Sequence, residues 1–207
     1  MSATSDDRLA RVDSIFREWL ADPRTMVICG RWEHGSITEL LPHGRASLSR
    51  QAYDGCFAGL RDLRIDGEDH HIHVDLGRFH RVEYVVAPSV CFQGKPSFEV
   101  RFLLTTPAGD PTRDWDLALS LSRPYLGQAL NREAVVRFFR RFAEHRRRHA
   151  DLVGFHAMVG AEHDVRVWRE VVECCWQAHG VSGAQAPNGG DLAGALVSVA
   201  TARTLDG

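Results

Sequence analysis

The run Asp69-His70-His71-Ile72-His73-Val74-Asp75 is the densest group of chemistry-bearing side chains in the sequence. Its alternation predicts a strand over residues 70–76, with Ile72, Val74 and Leu76 on one face and His71, His73 and Asp75 on the other. Two residues of strand rise put the imidazoles of His71 and His73 about 7 Å apart on the same side. Such a pair can bind a metal ion, or one imidazole can ligate a haem iron while its neighbour lines the pocket. The pattern equally suits the polar solvent face of a half-buried strand. A closed zinc site takes four ligands, and no completing set stands out.

Other candidates are sparser. His34 sits in the turn-like Glu33-His34-Gly35, where a surface histidine and a ligand are both compatible with the spacing. His145 and His149 stand at i, i+4 on a predicted helix, a spacing that can chelate a divalent cation. Three arginines lie between them, which favours a solvated basic face. Seven arginines fall between Arg132 and Arg148. They could attract phosphates, but the aromatics of that helix, Phe138, Phe139 and Phe142, belong to its apolar stripe, which argues against nucleic acid. Guanidinium also pairs bidentately with carboxylates, including those of a porphyrin. Cys91, among apolar neighbours, reads as inert packing. There is no GxSxG, GxGxxG or GxxxxGK[ST], so neither a hydrolase elbow nor an ordinary nucleotide-phosphate loop is supported.

These residues need elements to position them. Apolar positions at three- and four-residue spacing (Leu9, Val12, Ile15, Phe16, Leu20) predict a helix over 7–21, with Pro23 just past its end. From about 25 to 125 the period is two. Strands are predicted at 26–30, 36–41, 70–76, 80–86, 97–105 and 115–122, joined by short Gly- and Pro-bearing connections. Short connections favour an antiparallel meander over βαβ units, and the strands 70–76 and 97–104 are expected to pack as a pair. A helix follows at 131–150, with Asn131 as N-cap, and another at 163–178. The plan is α+β: one large antiparallel sheet flanked by N- and C-terminal helices. Residues 1–178 are expected to form a single domain around a core of 25–149, with 179–207 a Gly/Ala-rich linker and C-terminal tail.

Composition bounds the function. At 44% hydrophobic and 25% charged the chain is neither disordered nor fibrous. A net charge of −2 provides no global field for nucleic acid or anionic lipid. The five cysteines are odd in number and lack CxxC spacing, which predicts reduced thiols. No signal peptide and no apolar run of membrane-spanning length is visible, so a cytoplasmic protein without a membrane partner is expected.

The order of these motifs resembles the HutX/ChuX type of haem-utilisation protein, related to the HemS type, over residues 25–149. Met26 to Leu40, with His34-Gly35-Ser36-Ile37-Thr38-Glu39, resembles the early hairpin of that family, and Pro42-His43-Gly44-Arg45 its Pro-x-Gly-Lys/Arg turn. His71-Ile-His73-Val-Asp-Leu, Phe79 to Val86, Phe92-Gln-Gly94-Lys-Pro-Ser97 and Phe98 to Phe102 resemble its histidine-bearing strand and the segments after it. The family glycine between two histidines is Ile72 here, and residues beyond about 150 have no counterpart.

The resemblance implies a HemS/ChuX-like sheet, a homodimer and cytoplasmic haem or related tetrapyrrole binding, and leaves open whether haem is also degraded. It places His73 on the ligand-bearing strand and His34 in the early hairpin as iron ligands, with His71 in reserve. Two alternatives stand beside it. One is a metal-dependent enzyme using His71 and His73 with carboxylates such as Asp75 or Glu83. The other is a dimeric regulatory or interaction protein that binds no haem.

Overall fold

The structure is a computed structural model that describes residues 5–31, 36–40, 47–52, 56–65, 68–159, 164–181 and 192–201; between 47 and 73 the description is of strand and register. It divides into two compact units, residues 1–82 with 100–122 and residues 83–99 with 123–207.

In the first unit, helix α1 (Ser5–Leu20) buries Val12, Ile15, Phe16, Trp19 and Leu20, the stripe its spacing requires. Asp13 and Arg17 form an i, i+4 ion pair on its flank, with both carboxylate oxygens 3.0 Å from Nε. The Thr25 hydroxyl donates to the Trp19 carbonyl at 2.7 Å, closing the helix end as β1 (Thr25–Arg31) begins. Strand β1 pairs antiparallel with β2 (Ser36–Leu40) and with β8 (Pro111–Leu121). Val27 meets Leu119 and Ile28 meets Ala118 in that register, and all four are buried.

A large sheet of six strands follows the order β11-β6-β7-β8-β1-β2, where β6 is Phe79–Pro88, β7 is Pro96–Thr105 and β11 is Val153–Ala157. The boundary between the units falls within β6 and β7. Phe98, Val100 and Phe102 alternate along β7 and are wholly buried. The ring of Phe102 packs edge-on against Phe16 at 5.5 Å and tilted against Phe79 at 5.4 Å.

The mixed α+β class is the expected one, but the single sheet is corrected. The histidine-bearing strand β5 (Glu68–Asp75) does not pair with β7. It is the terminal strand of a separate three-stranded antiparallel sheet, β3-β4-β5, with β3 at Ser47–Ala52 and β4 at Cys56–Ile65. A 3-10 turn over Leu76–Arg78 links β5 to β6.

In the second unit, helix α2 (Arg132–Arg148) begins at Asn131, whose side chain accepts from the Ala134 amide at 3.3 Å, and carries Glu133 in its first turn. Helix α3 (Val165–Ala178) is capped by Asp164, which accepts from the amides of Arg166 and Val167. The segment expected to be a tail contains helix α4 (Leu192–Thr201), which packs on α3 and β11 and buries Leu192, Leu196 and Ala200. A two-stranded ribbon, β9 (Tyr125–Leu126) with β10 (Ala129–Leu130), precedes α2.

Candidate functional site: the histidine strand and its neighbours

The register of the small sheet sorts its residues into two faces. Leu48 stands opposite Leu60, and Leu60 opposite Ile72. Ala58 stands opposite Val74, which is buried. By the pleat these residues share one face, largely apolar, on which Arg50 stands opposite Ala58. The other face carries Ser47, Ser49 and Gln51 from β3, Phe57, Gly59 and Arg61 from β4, and His71, His73 and Asp75 from β5. Asp75, at the end of this face, is exposed.

His73 lies directly across from Gly59, and Gly59 directly across from Ser49. Opposed residues in an antiparallel pair hold their Cβ atoms about 5 Å apart. Glycine has no Cβ, so the cross-strand partner of His73 puts no side chain beside it. Phe57 and Arg61 flank that gap at the two diagonal positions.

His71 occupies an irregular position. The pairing steps from Ile72↔Leu60 to His70↔Leu63, so Arg61 and Asp62 together oppose His71 alone. This is a β-bulge, a device that bends a strand and re-aims the side chains near it. Sequence reasoning missed both the bulge and β4. The signal was present: Leu60 and Leu63 are three apart, which breaks the period of two.

The remaining candidates are dispersed. His34 lies outside the described residues. The Asp75 carboxylate, a candidate metal ligand or base, accepts from the Gly77 amide at 3.0 Å and caps the turn after β5. Glu83 is half-buried on β6. Among the described residues no group of three or more His, Cys, Asp or Glu is gathered as a metal site would need.

His145 corrects the expected solvated face of α2. It is wholly buried, and its Nδ1 lies 2.6 Å from the phenol oxygen of Tyr84. The rings of Phe138 and Phe142 pack at 5.2 Å against Tyr84. His149 is half-buried and closes the helix through its amide, which donates to the His145 carbonyl at 2.8 Å.

Cys91 is likewise corrected. It is exposed, at the mouth of a small recess in the 89–95 turn. There Lys95 donates to the Gln128 amide oxygen at 2.5 Å and lies over the Tyr125 ring. Burial pushes the Tyr125 phenol well up, and the Asp164 and Glu170 carboxylates add to the shift.

The arginines of α2 serve different ends. Arg146 donates to the carbonyls of Ala150 and Val153. Arg132 pairs with Glu173 of α3, and Arg137 with Glu133, each at 3.0 Å.

The fold defines a mixed α+β protein. No protein-family model and no curated protein matches the chain, and the candidate site rests on its own geometry. No described helix is long and apolar enough to cross a membrane.

Proposed function

We propose that this protein binds haem or a closely related tetrapyrrole on the histidine-bearing face of the β3-β4-β5 sheet, with His73 as the iron ligand. One observation carries the reading: His73 stands opposite Gly59, so the strand position that offers an imidazole faces one that offers no side chain. A planar macrocycle needs that kind of clearance beside its ligand. Phe57 at one diagonal supplies apolar ring surface, and Arg61 at the other supplies a guanidinium for a propionate carboxylate.

Bound haem would supply iron coordination, and the chain's share is the axial imidazole and the environment around it. Iron in haem takes one or two protein ligands, whereas a catalytic zinc takes three and a structural one four. A strand presenting two histidines suits the smaller demand, which supports a carrier over a metal-dependent enzyme. His71, at the bulge, is the reserve ligand. His34 is proposed as the ligand on the opposite side of the iron.

The test is a haemin titration followed by visible absorption. Wild-type protein should give a saturable shift of the main absorption band at micromolar haemin. His73→Ala should weaken binding and move the band, and His34→Ala should do so if the iron is ligated from both sides. No spectral change in wild-type protein with excess haemin overturns the carrier reading. Unchanged spectra in both variants would leave haem as ligand and remove these residues as its ligands.

A further inference from the structure

We propose a second binding site, independent of the haem reading, in the cleft between α2 and the C-terminal end of α3. Its ligand class is a small dianion whose two oxyanion groups, carboxylate or phosphate, are joined by a short spacer. The cleft has a volume of about 460 Å³ and is lined by Arg132, Glu133, Val136, Arg137, Arg140 and Gln177. That size suits a small molecule.

The charge distribution argues for an anion. Three guanidinium groups meet one carboxylate in the lining. Two of the three have protein partners that a ligand could replace. Glu133, which holds Arg137, is 84% exposed, and Glu173, which holds Arg132, is 47% exposed. Exposed ion pairs of this kind contribute little to stability, so exchanging one carboxylate for another costs little. Arg140 is exposed and, among the described residues, makes no hydrogen bond or ion pair.

The spacing argues for two anionic groups. Arg132 and Arg140 are eight residues apart on one helix, an axial rise of about 12 Å. Val136 lies halfway between them and is buried in the helix flank. Three cationic groups spread along that rise, with Arg137 between the other two, match a ligand with more than one anionic group, and the Gln177 amide offers a neutral polar contact from α3. A single monoanion would engage only one end. Guanidinium forks bind carboxylate and phosphate with the same bidentate geometry, so the two sources are separated by experiment.

Titration calorimetry on the full chain near pH 6, where pyrophosphate like adipate carries about two negative charges, tests this with both as dianions and acetate at matched ionic strength as the monoanion. Saturable binding of adipate or pyrophosphate without comparable acetate binding is expected, and the tighter of the two identifies the group. Arg140→Ala should weaken binding roughly tenfold, the size of one charged hydrogen-bonding partner. Arg147→Ala, on the same helix but outside the cleft, should leave it unchanged. Glu133→Gln should tighten binding by removing the carboxylate of the lining. All three positions are exposed, and circular dichroism checks that each variant is folded. Failure of both dianions to bind, or equal losses in Arg140→Ala and Arg147→Ala, overturns the proposal.

Discussion

The phenol oxygen of Tyr84 lies 2.6 Å from Nδ1 of His145, and neither residue exposes any surface. The bond ties β6 to the last turn of α2 inside a cluster of aromatic rings. Whichever atom carries the hydrogen, removing the phenol strips a buried imidazole nitrogen of this partner. Tyr84→Phe keeps the ring packing against Phe138 and Phe142 and should destabilise the protein by about 1–3 kcal/mol, the cost of a lost buried hydrogen bond. Urea unfolding measures it. A change within about 0.5 kcal/mol, as at an uninvolved surface site, would show that the bond contributes nothing.

Phe102 anchors the first unit in the same way that Tyr84 anchors the second. It is wholly buried between the rings of Phe16 and Phe79. Phe102→Ala should cost about 3–5 kcal/mol through lost transfer energy and the cavity left behind. A loss under about 1 kcal/mol in denaturant unfolding would contradict the packing.

The thiols should separate by reactivity. Cys174 and Cys175 are wholly buried on α3. Burial, with the Glu173 and Glu170 carboxylates adding and Arg132 opposing, pushes Cys174 up to about 11 from 9.0. Burial with Cys174 beside it pushes Cys175 up to about 12. At pH 8 in the native protein, iodoacetamide should therefore modify the exposed Cys91 and spare this pair until denaturant is added. Well below pH 9 both thiols are protonated in the folded and the unfolded chain. Above it the unfolded chain ionises first, so stability should fall as pH rises from 9 toward 11. Peptide mapping that finds Cys174 or Cys175 alkylated as fast as Cys91 would refute the assignment.

Local pattern made much of this fold legible. Period two located β5 and β7, the apolar run Tyr84 to Ala87 marked β6, and the Phe138, Phe139, Phe142 stripe with Asn131 before it located α2 nearly to its ends. Position was harder to read where residue type pulled the other way. His145 follows Phe138 by seven and Phe142 by three, which continues the buried stripe, but the arginines at 146–148 make the segment look solvated. Strands β3 and β4 were hidden for a related reason. Ser47, Ser49 and Gln51 fill one face of β3, Arg50 interrupts the other, and the bulge shifts the parity of β4. Sheet membership could not be read at all. That β5 pairs with β4 and not with β7 depends on long-range register, which alternation in one strand does not encode. The candidate site was thus half visible: the histidines were found, and the glycine opposite His73 was not.

That glycine gives the sharpest test of the proposed haem face. Glycine within a strand weakens it, and a β-branched residue fits the pleat better. Gly59→Val should therefore preserve the fold or stabilise it slightly, as read by circular dichroism and urea unfolding. It also places a branched side chain about 5 Å from the Cβ of His73 on the same face. If a macrocycle lies there with iron on His73, Gly59→Val should abolish the haemin-induced absorption shift while the protein remains folded. Arg61→Ala should weaken haemin binding without moving the band, because it removes a carboxylate partner and leaves the iron ligand intact. A folded Gly59→Val protein that binds haemin as wild type does would exclude this face of the sheet as the haem site, whatever the fate of the histidine variants.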